Sequence, residues 1–165
     1  MPQLLRIVRR AKWYKNSNVP WLQDGDLQAD TLGDLKTQDN GLSVWYIEDD
    51  HSNLGRIAAA VSAGRDAITN FDYAIVDSAL VGKLHVKVDD EPGDSPDIEA
   101  NRTWHRNLTQ FSHRQLFDFA ELIRDHGEVL RMHQAEVLAT MKTSFAENRL
   151  DTKKISEKII LQIKA

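Results

Sequence analysis

The chain contains no cysteine. That single absence excludes disulfides, zinc ribbons, thiol nucleophiles and cysteine-ligated iron–sulfur clusters. No internal repeat or low-complexity segment is present. No apolar run approaches the roughly 20 residues of a membrane span. The opening stretch MPQLLRIVRRAKWYK has no apolar region of signal-peptide length ahead of its charges. A cytoplasmic protein without membrane contact is therefore expected. Compact catalytic motifs are missing too. There is no Gly-x-Ser-x-Gly elbow, no Gly-x-x-x-x-Gly-Lys-Ser/Thr loop and no Gly-x-Gly-x-x-Gly turn. Some nucleotide-transferring α+β enzymes work with scattered Arg, His and Glu, so these absences narrow the enzyme classes without closing them.

What is present is ordinary in amount and uneven in placement. Of 165 residues, 41% are hydrophobic and 28% charged, both within the globular range. A chain of this length buries roughly two thirds of its unfolded surface and needs no covalent staple. The net charge of −4 divides into +5 over residues 1–15, −12 over 16–101 and +3 over 102–165. A basic arm, an acidic middle and a mildly basic tail can attract one another, or can present faces of opposite sign to partners.

Hydrophobic spacing predicts an α+β fold. The stretch QLLRIVRRAKWYK fits both a helix stripe and a strand, and a strand is expected from Leu5 and Ile7 alternating with Arg6. LSVWYIED follows Asn40-Gly41 and is the clearest strand. Residues 54–63 place Leu54, Ile57, Ala58 and Val61 on one helical face. FDYAIVD and KLHVKVD read as further strands. The acidic stretch DDEPGDSPD, Asp89–Asp97, reads as a linker. Beyond it Ser112 and Gln115 form a capping box. From there Leu116, Ala120, Ile123, Gly127, Leu130, Gln134, Val137 and Met141 recur in steps of four and three, a heptad-like seam. Asp151 opens a last helix with Ile155, Ile159 and Ile163 on one face. The expected organisation is an α+β body over 1–88, with a small mixed sheet and one or two helices. An acidic Pro/Gly loop over 89–100 and a region of two to four helices over 101–165 follow. The body and the helical region could pack as one continuous domain.

Candidate sites fall into four groups. His126 and His133 lie seven residues apart. On one helix that is about 10.5 Å along the axis, too far to share a metal ion, so no metal and no cofactor is expected. Glu48 and His51 follow the best strand, where an acid/base pair with Arg6 and Arg9 would suit a nucleotide- or nucleic-acid-acting enzyme. Arg9, Arg10, Lys12, Trp13 and Tyr14 interleave cations with rings, a pattern suited to single-stranded nucleic acid, although the pI near 5.8 argues against a dedicated binder. The fourth group is a protein interface. It takes in Leu116, Ala120, Ile123, Gly127, Leu130, Val137 and Met141 of the seam, with Trp104, His105 and Arg106 before it, where tryptophan and arginine are the usual anchors. The expected function is a non-enzymatic accessory subunit of a cytoplasmic assembly, with a protein partner or a second copy on its C-terminal helices.

Overall fold

The computed structural model describes residues 2–13, 20–23 and 25–165. Six strands form one antiparallel sheet in the order β4-β5-β2-β1-β3-β6. They are β1 (Gln3–Ile7), β2 (Leu42–Ile47), β3 (Phe71–Asp77), β4 (Lys87–Asp89), β5 (His105–Thr109) and β6 (Glu128–Met132). Six α-helices accompany them: α1 (Leu54–Ala63), α2 (Ser78–Gly82), α3 (Ile98–Trp104), α4 (His113–His126), α5 (Gln134–Ala146) and α6 (Glu157–Lys164). The fold is α+β, and residues after 100 supply two of its strands as well as helices.

Strand alternation divides the core into two layers, because successive side chains point to opposite faces. Leu5, Trp45, Ile47, Phe71, Tyr73 and Ile75 face one side and pack with Ile57 of α1, Met141 of α5 and Ile159 of α6. Leu4, Leu42, Val44, Ala74, Val76 and Leu108 face the other and pack with Phe119, Ala120 and Ile123 of α4. Alanines 58, 59, 60 and 63 on α1 are all fully buried. Their small side chains let α1 lie close against α5.

The heptad seam does not form one helix. Gly127 has extended backbone (φ −89°, ψ 153°), and residues 128–132 pair with β3 in the register Tyr73↔Leu130 and Ala74↔Val129. The same apolar spacing satisfies a strand: Leu130 and Met132 pack into one core layer and Val129 into the other. Pairing satisfies the backbone groups along this edge of β3, which an extra helical turn would leave open. As a result α4 and α5 lie on opposite faces of the sheet.

The acidic stretch is likewise built into the body. Asp97 is fully buried. It accepts from Ala100 N at 2.9 Å, capping α3, and takes a bidentate bond from Arg56 at 2.6 and 2.9 Å. Pro96 O accepts from Asp151 N at 2.9 Å, tying this stretch to the chain after α5.

Gly127 is sterically required where the chain crosses from α4 to β6. A Cβ there would sit 2.6 Å from Ile123 O and 3.0 Å from Ile123 Cα, both backbone atoms that cannot swing away. Gly127→Ala should lower unfolding free energy by about 1–3 kcal/mol. Urea unfolding read by circular dichroism checks this, and an unchanged midpoint would contradict it.

Candidate functional site

The residues expected to form an acid/base centre lie at opposite ends of β1. Gln3 pairs with Ile47, and its Oε1 meets His51 Nε2 at 2.9 Å. Arg6 lies three residues on, about 10 Å along the strand, and donates to Ser43 O at the start of β2. Glu48 accepts from Ser52 Oγ at 2.5 Å, and Asp50 accepts from Ser52 N at 2.9 Å. This turn closes on itself. Glu48 and His51 are not brought to Arg6 and Arg9, so the expected catalytic group is not assembled.

The basic arm folds inward. Trp13 is 5% exposed, and its Nε1 donates to Asp34 Oδ2 at 2.9 Å. Its ring is therefore not presented to a base. Lys12 pairs with Asp30 at 3.4 Å, and Arg10 N donates to Asp72 Oδ2 at 3.0 Å. Tyr14 lies outside the described residues. The arm engages acidic groups of its own chain, as the opposed segment charges permit.

The Trp104–Arg106 triplet is also occupied within the fold. Trp104 packs against the first core layer, with the Arg56 guanidinium over its ring at 5.3 Å. Arg106 stacks on Tyr46 at 5.0 Å and pairs with Asp90 at 2.5 Å. His105 is 7% exposed, with the ring edge-on to Trp45 at 5.1 Å. Of the seam, Ala120, Ile123, Val137 and Met141 are buried, on two different faces. Leu116 and Leu130 are partly buried beside them, and Gly127 is at the crossing.

His105 organises a polar centre where β2 and β5 meet the acidic loop. Its Nδ1 meets Glu91 O at 2.7 Å, and a carbonyl only accepts, so Nδ1 carries the proton. Burial is the main reason its pKa lies below the ordinary histidine value, which keeps the ring neutral and leaves Nε2 as an acceptor. Ser43 Oγ, 2.7 Å away, therefore donates. A Cβ on Gly93 would come within 2.9 Å of the ring, so glycine lets the loop close over it. Ser43 lines a cleft of about 370 Å³ with Arg6, Lys36, Glu91, Asn107 and Thr109. The order hydroxyl, imidazole, carbonyl resembles a base-oriented serine. Here the chain of bonds clamps β2, β5 and residues 91–93 together.

Arg6 separates that cleft from a larger one of about 500 Å³, lined by Arg6, Arg9, Arg65, Asp34, Asp72 and Asn70 among others. Arg6 Nε and Nη2 donate to Asp34 O at 3.0 and 2.6 Å, and Nη1 to Ser43 O at 2.7 Å. Burial depresses its pKa to about 10, with nearby Asp34 opposing. Among the described residues, no group of three or more His, Asp or Glu is arranged to hold a metal ion.

A third feature is apolar and exposed. Trp21 is 72% and Phe117 49% exposed. With Leu27, Leu32, Ala120 and Arg124 they line a cleft of about 350 Å³ on the outer side of α4. Phe111 meets Phe119 at 6.2 Å, which leaves Phe117 on the solvent side of the helix. Sequence reasoning missed Ser43, Arg65, Trp21 and Phe117. Periodicity marks Phe117 as off the seam, but nothing local marks the other three. Comparison with models of known protein families, with curated proteins and with solved structures finds no match.

The depressed pKa of His105 gives stability a pH dependence. The unfolded chain takes up its proton at roughly pH 6.5, while the folded chain resists it. The stability tied to the neutral ring is therefore present in full above that pH and is lost as pH drops below it. His105→Gln should flatten the acid side of the profile, measured by urea unfolding between about pH 5 and 8. An identical slope in wild type and variant would contradict this.

Proposed function

We propose that this chain is a non-enzymatic interaction subunit of a cytoplasmic protein assembly, which meets its partner through the outer face of α4. The observation that carries this is the pairing of exposed Trp21 and Phe117 beside one apolar cleft. Large aromatics left in water forgo the favourable burial that each would gain elsewhere. Side by side around a concave surface, they have the form of an interface anchor. Asp26, Glu121 and Arg124 line the same cleft, and Arg124 is paired with Asp125 and Glu121. The rim is thus net acidic, which favours a partner with an apolar centre and a basic border. No helix among the described residues is long and apolar enough to cross a membrane. The contact surface is the solvent side of α4, not the seam, whose side chains belong to the two core layers.

Phe117→Asp should weaken the contact by about 2 kcal/mol or more, roughly thirtyfold, without lowering the melting temperature. The measurement is quantitative co-purification of wild type and variant from the native host, together with sedimentation of the isolated chain. A stoichiometric companion, or a second copy, that leaves with the Phe117→Asp variant supports the reading. A wild-type chain that is monomeric and carries no stoichiometric companion overturns it, as does a variant that keeps its full complement.

A further inference from the structure

We infer that the cleft between the C-terminal end of β1 and the N-terminal end of β3 binds the phosphoryl group of a small phosphorylated molecule, through Arg6, Arg9 and Arg65. Three guanidinium groups and two carboxylates line this cleft of about 500 Å³. The two carboxylates are already engaged by the protein. Asp34 Oδ2 accepts from Arg9 N at 2.8 Å and from Trp13 Nε1 at 2.9 Å. Asp72 takes a bidentate bond from Arg131 at 2.7 and 2.9 Å, and a further bond from Arg10 N.

The cations are less well matched. The three hydrogen bonds of Arg6 all go to main-chain carbonyls. Carbonyls satisfy donors without neutralising charge, and a guanidinium has five N–H groups, so two remain. Arg65 lies 5.8 Å over the ring of Phe71. Its pKa is lowered, first by burial, with Asp72 acting in the opposite direction. Among the described residues the Arg9 side chain makes a 3.5 Å approach to Asp34, and it is 72% exposed. Asn70 Oδ1 accepts from Gln134 N at 2.9 Å, which leaves its amide nitrogen as a donor at the rim. A desolvated cation without an ion pair is costly, and a bound anion would relieve that cost.

A phosphoryl dianion fits best. Guanidinium forks match its oxygens in pairs, and several cations favour two charges over one. The volume is that of a small-molecule site. The chain's net charge of −4 disfavours a long polyanion, whose binding relies on a broadly basic surface. The site is separate from the outer face of α4, so either reading can fail without the other.

The test uses the full chain with inorganic phosphate and with adenosine monophosphate as probes, against chloride and acetate at equal ionic strength. Phosphate should raise the melting temperature in a concentration-dependent way, and titration calorimetry with the monophosphate should show one site. Arg65→Gln removes a guanidinium that makes no hydrogen bond among the described residues. It should weaken binding about tenfold or more while the melting temperature without phosphate stays unchanged. Arg9→Gln should weaken binding less, and backbone amide shifts on phosphate addition should cluster at residues 6–9 and 65–72. Phosphate no more stabilising than chloride would overturn the inference, as would wild-type affinity in Arg65→Gln or amide shifts centred elsewhere.

Discussion

The buried carboxylate of Asp34 is the interaction on which one whole side of the molecule depends. Its Oδ2 accepts the main-chain N–H of Arg9 and the indole N–H of Trp13, and its own carbonyl accepts two bonds from Arg6. One residue of the 3₁₀ segment Ala29–Leu35 thereby joins the end of β1, the turn that follows it and, through Arg6, the start of β2. An isolated buried charge is costly. Asp34 is tolerable because a backbone and an indole N–H donate to its carboxylate and the Arg9 guanidinium lies 3.5 Å from it. The arrangement also fits the sign pattern along the chain: Arg9 and Lys12 of the basic arm meet Asp34 and Asp30 of the acidic segment after it.

The same segment borders two of the clefts. Thr31 and Leu32 line the apolar cleft beside α4, while Gly33 and Asp34 line the arginine-rich one. An apolar cleft and a polar cleft thus share one seven-residue wall, pinned by Leu35 in the core and by the bonds to Asp34. At the other side of the sheet, Arg56 and Asp97 do a comparable job, holding the acidic stretch against α1 and starting α3. Charge in this protein is largely consumed in joining elements.

Much of the layout is legible in the sequence for local reasons. The β-branched and aromatic runs LSVWYI and FDYAIVD mark β2 and β3, since strands covered on both faces are apolar nearly throughout. Ser112 and Gln115 mark the start of α4, because the capping box is a contact between neighbours in sequence. Ile159 and Ile163 share the buried face of α6 as their spacing requires, whereas Asp151 caps only a short 3₁₀ turn and Ile155, also buried, lies in extended backbone before the helix. The break at Gly127 is not legible. Leu130 satisfies a helical seam and a strand equally, and the deciding partner, β3, is more than fifty residues away. KLHVKVD illustrates the converse: its alternation suggests a longer strand, yet only Lys87–Asp89 pairs, because β5 supplies partners only from Asn107 to Thr109.

The candidate sites divide along the same line. Residue types and their local spacing determined by themselves that the chain is α+β, lacks thiol chemistry, and carries a basic arm facing an acidic segment, since each follows from composition or from contacts within a few residues. Only the tertiary structure decided that Trp13 is buried on Asp34, that Glu48 and His51 lie away from Arg6, and that Arg6 meets Arg65 across a cleft. Those outcomes depend on which strands become neighbours and in which register. Pairings between distant segments are set by the joint burial of two core layers and the hydrogen bonding of neighbouring strands, and no window of sequence contains both partners.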